Sequence, residues 1–402
     1  MSILHVDLNS FYAHCSILAS NGKYSFDSPV IIGGDPRKRH GIVLAATYPV
    51  KKKGVHAAMT LREACELCPE AAVLPGDHKL YTEYSRRFMR IIKEYSPLVM
   101  RFGIDEAYID YTGCEHIFGP PEEVAHIIRE RVKREIGLTV SVGVGDNMLM
   151  AKMGSDYKKP DAVTVVTKEL WDEHIKPLAV DRLMYVGHAS AKKLNELGIF
   201  TIGQLASLSP NVLKGLFGAV GQDMWLHANG VDERRITFED EAQKSISSAV
   251  TLPGDIQSRD ELTAALLTQV DKVAYRLRSM GMKACCVGVS VRYKDLTNRS
   301  RQTRLRTATD VTDELYAEAK QLILPLYAEK PIRQVGVKVA QLTDGAEQLS
   351  LFGEKEHERK RSMDLAVDEL RKRFGTGIVL RGSTVKHGLR DDAEDDFSPF
   401  SR

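Results

Sequence analysis

Residues 101–110 read RFGIDEAYID, and two adjacent acids, Asp105 and Glu106, interrupt an otherwise alternating apolar pattern. Neighbours on a strand point to opposite faces, so this pair in a strand sends one charge inward. An unpaired buried carboxylate is costly. The chain must either turn here and wet both acids, or bring them a counter-charge. Whatever fold forms has to place a turn or a set of cations at this point.

The surrounding pattern predicts the fold. Residues 2–8 read as a strand, with Asn9 or Ser10 able to cap a helix through FYAHCSIL. YTEYSRRFMRIIKEY sets Tyr81, Tyr84, Phe88, Ile91 and Tyr95 at helical spacing. VMRFGI and AYIDY predict two strands around the acids. EEVAHIIRERVKREI carries Val124, Ile128, Val132 and Ile136 as an i, i+4 stripe, and LTVSVGV alternates Leu138, Val140, Val142 and Val144. Strand, helix, strand, strand, helix, strand is the split βαβ, ferredoxin-like order. An insertion at 20–77, with VIIGG, GIVLAATY and the short helix TLREACELC, predicts a small lobe on the first sheet.

Beyond this sheet the character changes. Residues 168–232 predict short helices with Gly punctuation, and 233–245 a charged linker. Residues 246–342 predict an α+β domain, where CCVGVSVRY and VGVKVA alternate around the helix DVTDELYAEAKQLILPLY. Residues 343–402 predict a tail with a polar segment, a basic helix HERKRSMDLAVDELRKRF and a disordered end. A chain of 402 residues exceeds one ordinary core, which agrees with several domains. No apolar run approaches the ~20 residues of a membrane span. The start carries no basic, cleavable signal, so a cytoplasmic protein without a membrane partner is expected. Six cysteines fit reduced thiols, and the lone CxxC of Cys65 and Cys68 fits helix packing.

Net charge is +2, but it is unevenly spread. Residues 242–345 hold 16 Lys and Arg against 11 Asp and Glu, while DDAEDD at 391–396 holds five acids in six. A basic module and an acidic tail follow. Within the module, RYKDLTNRSRQTRLR has Arg292, Lys294, Arg299, Arg301, Arg304 and Arg306 against Asp295 alone. Two strands round a DLTN turn would make a basic hairpin suited to a nucleic-acid backbone. With few aromatics there, phosphate contact is expected before base stacking.

The chemistry concentrates at the predicted sheet. In HVDLNSFYA, Asp7 ends the first strand at a strand-to-helix corner. The first strand and the central hairpin lie side by side in the predicted order, so Asp7, Asp105 and Glu106 converge at one sheet edge. Three close carboxylates repel unless they are protonated or bind cations. Hard oxygen ligands with open positions suit Mg²⁺, and two such ions ~3.5–4 Å apart clamp an in-line phosphoryl displacement. Two basic clusters, ATYPVKKKGV with Lys51, Lys52 and Lys53, and MAKMGSDYKKP with Lys152, Lys158 and Lys159, offer the charge a triphosphate needs.

These motifs together resemble the Y-family (translesion) DNA polymerases, nearest their bacterial branch. HVDLNSFYA, ATYPVKKKGV, GIDEAYID, SVGVGDNMLMAK and SDYKKPDAVTVV follow the family's order and spacing, and the match runs from Met1 to about Ala340. The resemblance implies an α+β multidomain chain: a ferredoxin-like palm (1–19 and 78–167), small fingers (20–77), a helix-hairpin-helix thumb (168–232), and a little finger (246–342). It implies Asp7, Asp105 and Glu106 as catalytic, metal-binding carboxylates, with the Leu8 carbonyl as a further ligand for two Mg²⁺ ions, Mn²⁺ being an alternative. Tyr12 would be the steric gate against a ribose 2′-OH, with Phe11 beside it. Tyr48, Lys51 and Lys159 would hold the dNTP triphosphate, and Ile42, Leu44 and Ala58 would roof the nascent base pair. Gly187 and Lys192 of YVGHASAKKLNELGI, with the basic hairpin, would grip primer-template DNA. QLSLF at 348–352 is similar to the peptide that bacterial replication proteins insert into the sliding clamp, through Gln348, Leu349, Leu351 and Phe352. A monomer near the nucleoid is implied.

The chain departs from the family at some positions. Gly103 stands where Ser is common, Lys51 where Arg is usual, Ala162 where Gly is usual, and Tyr185 at the first hairpin Gly. Pro49 and Lys53 replace a more typical acid and aromatic. Nucleotide cyclases share the palm's carboxylates, but the basic module at Arg292–Arg306 argues against them. A clamp-tethered DNA-binding scaffold is a second alternative, which the intact carboxylate set argues against.

Overall fold

The computed structural model describes residues 2–34, 41–237, 243–256, 258–327, 330–344, 354–375 and 377–382. Gln348, Leu349, Leu351 and Phe352 of QLSLF, and the acidic run 391–396, lie outside the described residues. The described chain forms two compact units, 2–34 with 41–237, and 243–382.

The first unit is organised by a five-stranded sheet in the order Val99–Arg101, Glu106–Asp110, Ile3–Leu8, Val140–Gly145, Val163–Val166. Its first four strands have the ferredoxin-like arrangement that the periodicity predicts. Ile3–Leu8 is central, buried throughout, and antiparallel to both neighbours. Period-two alternation divides its side chains. Leu4, Val6 and Leu8 join the core, together with Phe88, Ile92, Ile128 and Val132 from the helices His78–Ile92 and Pro121–Ile136. Ile3 lies in the cluster on the other face, with Tyr108, Met148 and Ala151. His5 and Asp7 share that second face.

The helix Met148–Tyr157 covers this face, and glycines let it come close. A Cβ at Gly143 would lie 1.9 Å from the Ala151 carbonyl oxygen and 2.4 Å from the Ser155 nitrogen. No side chain fits there, so backbone packs directly on backbone. Gly145 and Gly154 are similarly crowded, by Met150 and Ala151 and by Val166 and Gly143. The fifth strand, Val163–Val166, then returns parallel to Val140–Gly145.

The insertion forms its own sheet of Val43–Ala46, Val30–Gly33 and Ala72–Leu74. Ile31, Val43, Val50, Leu61, Ala64 and Cys68 make a separate small core. All six cysteines are free thiols, and Cys68 is fully buried in this core. The helices His188–Glu196, Ile202–Ala206, Pro210–Phe217 and Ala219–Ala228 follow, gathered on a core that includes Trp171 and Leu194.

In the second unit the sheet order is Asn298–Thr309, Lys283–Tyr293, Ile332–Thr343, Ser245–Thr251, antiparallel throughout. The helices Arg259–Ser279 and Thr312–Tyr327 bury one face of it. Within the stretch expected as a tail, the helix Glu354–Phe374 docks on this unit through charge. Arg278, almost wholly buried, bonds Asp368 at 2.6 and 3.0 Å and Asp364 at 3.2 Å. Arg361 is bidentate to buried Asp310, and Arg371 bonds Asp271 at 2.6 Å. The sequence shows a basic helix here, but apolar periodicity does not report ion pairing.

Gly143→Ala should lower the unfolding free energy by roughly 1–3 kcal/mol or more, as overpacking does. Gly215→Ala, in a helix with nothing within 4 Å of the added carbon, should be neutral or stabilise by up to ~1 kcal/mol. Urea denaturation of both variants checks the pair. Equal effects would mean that the backbone contact at Gly143 does not limit the fold.

Candidate active site

The first strand and the central hairpin deliver the acids. Asp7 and Glu106 are register partners across the antiparallel pair, so their side chains share a face. Asp105 sits just before the Glu106–Asp110 strand, in a bend over 103–105. Its carbonyl accepts the Leu8 N–H at 2.9 Å. The Ser85 hydroxyl donates to the Ile104 carbonyl, which pins the tip to the helix His78–Ile92. The bend is what frees Asp105 from strand alternation. Gly103 has φ +104°, a region that L side chains rarely adopt, while a Cβ there would meet Asp105 Oδ1 only at 3.6 Å. Backbone conformation, not space, therefore selects Gly at this position.

The helix Met148–Tyr157 supplies the counter-charge. Lys152 Nζ lies 3.0 Å from Asp7 Oδ2, 2.5 Å from Glu106 Oε2 and 3.5 Å from Asp156 Oδ2. Lys159 Nζ lies 2.9 Å from Asp7 Oδ1 and 2.7 Å from Asp156 Oδ1. Burial works against the Lys152 ammonium, but Asp7, Asp156 and Glu106 outweigh it and raise its pKa. Lys159 is raised against burial in the same way, by Asp7 and Asp156. From the sequence, Lys152 belonged only to a basic cluster. Its pairing with the carboxylates becomes visible once the helix is seated on the glycines.

Among the described residues Asp105 makes no ion pair with a lysine, and the Lys152 charge offsets only part of its burial and acidic surroundings. Burial first, then the charges of Asp7 and Glu106, push its carboxyl up to about 6. Beside it the Tyr12 ring packs 4.5 Å from Tyr81 and 5.5 Å from Phe11, centroid to centroid. Burial and then Asp105 raise the Tyr12 phenol. Lys51 Nζ donates to Ser10 Oγ at 2.9 Å and lies 4.7 Å over the Tyr48 ring. Burial, then Lys159, lower the Lys51 pKa. Asp7, Asp105, Glu106, Tyr12, Tyr48, Lys51 and Lys159 thus form one connected set. On the inserted lobe, Ile42 is exposed just before the strand Val43–Ala46, in an isolated bridge to Thr60, Leu44 within that strand is half-buried, and Ala58 N–H bonds the Val43 carbonyl at 2.9 Å.

One member of the site escaped the motif reading. His5 is fully buried, and its Nε2 lies 3.3 Å from Glu106 Oε2. Burial, then Lys152, depress its imidazole to about 3, so the ring is neutral. Donor atoms of His5, Asp7 and Glu106 all lie within 4.8 Å of one another, a set that does not include Asp105. The signal was in the sequence: His5 is two residues before Asp7 on one strand, hence on its face.

The other expected contacts are distributed differently. Gly187 is the N-cap residue of His188–Glu196, and Lys192 is exposed on that helix. Tyr185 has φ +72°, in the left-handed region. In the second unit all six basic residues are exposed, but they do not share one face. Arg299 and Arg301 pair in register with core residues Val291 and Val289, whereas Arg292 pairs with Asn298 and Arg304 with Cys286. The basic charge therefore lines both sides of an edge strand.

Carboxylates, the donors that suit hard cations, meet here beside Lys152 and Lys159, with the Tyr12 ring next to Asp105. Residues 6–156 match the impB/mucB/samB family, and 243–351 match its C-terminal domain. DNA polymerase IV of Pelotomaculum thermopropionicum is 40% identical over 386 residues, covering 95% of this chain and 95% of that one. DNA polymerase IV 2 of Bacillus subtilis is 36% identical over 392 residues, covering 95% and 94%. In fold, the chain is similar to the Y-family DNA polymerase chimera Dbh-Dpo4(243-245)-Dbh, with a TM-score of 0.73 at 24% identity, covering 85% of this chain and 99% of that one.

A carboxyl with a pKa near 6 is protonated below that pH and charged above it. Chelator-treated protein should therefore take up a proton at Asp105 as pH falls through about 6. A divalent ion needs the charged form, so Mn²⁺ affinity measured by calorimetry should rise between pH 5 and 7. Asp105→Asn should remove the titration step seen by carboxyl ¹³C NMR. A midpoint near 4 in the wild type would contradict the crowding described above.

Proposed function

The chain belongs to the Y family of DNA polymerases, in the DNA polymerase IV group, and from that membership we propose how its own residues divide the work. It is a DNA-directed DNA polymerase of the translesion type, which adds dNTPs to a primer 3′-OH under direction of a template. Low fidelity and dependence on divalent ions are properties of the family. The observation that supports the site is the meeting of Asp7 with its register partner Glu106, beside Asp105, at the mouth of one buried sheet.

Asp7, Asp105 and Glu106, with the Leu8 carbonyl, would hold two Mg²⁺ ions, for which an oxygen donor set is suited; Mn²⁺ would substitute. When bound, these ions supply Lewis acidity to the primer hydroxyl and the triphosphate. Lys152 and Lys159 hold the carboxylates close while no ion is present. As dNTP arrives, Lys159 exchanges Asp7 and Asp156 for phosphate oxygens. Lys51 and Tyr48 grip the same triphosphate from the inserted lobe, Lys51 as a point charge, not a bidentate fork. Tyr12, fixed by Tyr81 and Phe11, blocks a ribose 2′-OH. Ile42, Leu44 and Ala58 roof the nascent pair.

The domain assignment follows the same reading: palm 1–19 and 78–167, fingers 20–77, thumb 168–232, little finger 246–342. Gly187 and Lys192 on the thumb, and the Arg292–Arg306 hairpin, bind DNA phosphates. Because that hairpin carries charge on both sides of an edge strand, it suits tracking along a backbone more than reading a base edge. QLSLF, an apolar trio in a polar stretch, docks in the sliding clamp. Among the described residues no helix is long and apolar enough to cross a membrane, and cytoplasmic work at the nucleoid fits the substrate.

Primer extension with Mg²⁺ and dNTPs tests the central claim. Wild type should extend a primer and Asp105→Ala should lose at least 10³-fold in rate, in the range of a removed electrostatic stabiliser, ~10²–10³ or more, while DNA affinity stays within a few-fold. No extension by wild type that still binds DNA would refute the reading. Separately, deletion of 348–352 should abolish stimulation by the clamp and leave basal synthesis intact. Equal stimulation would remove the clamp role.

A further inference from the structure

His5 has no place in the roles assigned so far, yet it is built into the site. Its Nδ1 lies 2.8 Å from Ser155 Oγ. Ser155 Oγ also donates to the Lys152 carbonyl at 2.8 Å. A hydroxyl has one hydrogen. With that hydrogen on the Lys152 carbonyl, Ser155 accepts from His5, and Nδ1 carries the imidazole proton. Nε2 is then left with a lone pair. It is fully buried, has no hydrogen-bond partner, and faces Glu106 Oε2 at 3.3 Å. Two lone pairs at that distance repel, and a cation between them turns the repulsion into coordination.

The surroundings fit one ion. Donor atoms of His5, Asp7 and Glu106 lie within 4.8 Å of one another. Ligands 2.0–2.2 Å from a tetrahedral zinc-sized ion stand ~3.5 Å apart; His5 Nε2 and Glu106 Oε2 already meet this at 3.3 Å, and donors nearer the 4.8 Å limit would draw in by about an ångström. The Lys152 ammonium now lies against both carboxylates, and a divalent ion would replace it. One imidazole and two carboxylates are a mixed set. Imidazole nitrogen favours ions such as Zn²⁺ and Co²⁺, while Mg²⁺ prefers oxygen alone.

We propose that His5, Asp7 and Glu106 form a second cation site, selective for borderline transition ions such as Zn²⁺ and Co²⁺, which takes an imidazole nitrogen in place of Asp105. This rests on the preceding reading only in that Asp7 and Glu106 belong to both sites. The two modes exclude one another, because an ion drawn toward His5 pulls both carboxylates away from Asp105. Zn²⁺ is then an inhibitor that competes with Mg²⁺. Ser155 is the positioning residue, since it fixes which nitrogen is the ligand.

The test uses the full chain, chelator-treated, with Co²⁺ alone as the probe and visible absorption as the readout. Wild type should bind one equivalent. His5→Gln and His5→Phe should each weaken binding at least tenfold, and Asp105→Asn should change it less than threefold while abolishing Mg²⁺-dependent extension. Electron paramagnetic resonance with Cu²⁺, which favours imidazole, should show a nitrogen coupling in wild type that His5→Gln lacks. Should the His5 variants misfold by circular dichroism, Ser155→Ala replaces them and should lose roughly tenfold in affinity. Equal Co²⁺ affinity in wild type and folded His5 variants, an unchanged Ser155→Ala, or absent nitrogen coupling overturns the site. So does a loss in Asp105→Asn as large as in His5→Gln, which assigns the ion to the carboxylates alone. Failure of wild-type primer extension would count against the polymerase roles and leave the Co²⁺ result standing.

Discussion

The site depends on how closely the helix Met148–Tyr157 approaches the strand Val140–Gly145. At Gly143 the gap is too small for any Cβ, so helix backbone rests on strand backbone. That approach places Lys152 against Asp7 and Glu106 and Ser155 against His5. A helix held off by one methyl group would withdraw the ammonium from the carboxylates. The buried acids would then face one another without compensation, at a cost that the sheet would have to absorb.

Electrostatics at the sheet mouth follow from that placement. Asp7 receives two ammonium groups, from Lys152 and Lys159, and Glu106 receives one. Asp105 stands on the bend outside these ion pairs, and burial with the charges of Asp7 and Glu106 outweighs the opposing charge of Lys152 and raises its pKa. The three acids are therefore inequivalent before any ion arrives. Asp7 and Glu106 are already paired with lysines. Of the three, Asp105 is the one whose charged form a nearby cation would favour most, because burial and two acidic neighbours oppose that form. The lysines compensate the charge of Asp7 and Glu106 at the end of the sheet.

Much of this was legible in the sequence, for identifiable reasons. Strand alternation placed Leu4, Val6 and Leu8 in the core, and the order of elements fixed the neighbours of the first strand. Asp7, Asp105 and Glu106 converge because that order leaves them little choice. His5 was equally available from period two, but a lone histidine in an apolar run draws attention only when its face is tracked. The Lys152 pairing was less legible, since it depends on the depth to which glycines admit a helix. Least legible was the docking of Glu354–Phe374. Its contacts are Arg278 with Asp364 and Asp368, Arg361 with Asp310, and Arg371 with Asp271. Each residue reads as surface charge in one dimension, and only long-range packing pairs them and buries Asp310, Asp364, Asp368 and Arg371.

Gly103 and Tyr185, the two departures with the sharpest local consequences, turn out to be opposite solutions to one problem. Both have positive φ, +104° and +72°. At the bend beside Asp105, glycine accepts the conformation at no steric cost. At the thumb turn a bulky residue adopts it, a strain of order 1–3 kcal/mol. Arg234 offsets that strain: its guanidinium lies 4.6 Å over the Tyr185 ring and also hydrogen-bonds the Tyr185 hydroxyl. Arg234 in turn is paired with Asp232 at 2.7 Å. Asp232 accepts the Leu149 N–H at 3.0 Å, in the first turn of the helix that carries Lys152. Tyr185 is thus tied through two residues to the element on which the carboxylate site rests. A glycine there would relieve the backbone but release Arg234, so the substitution exchanges local ease for a latch between the thumb and the helix that seats Lys152.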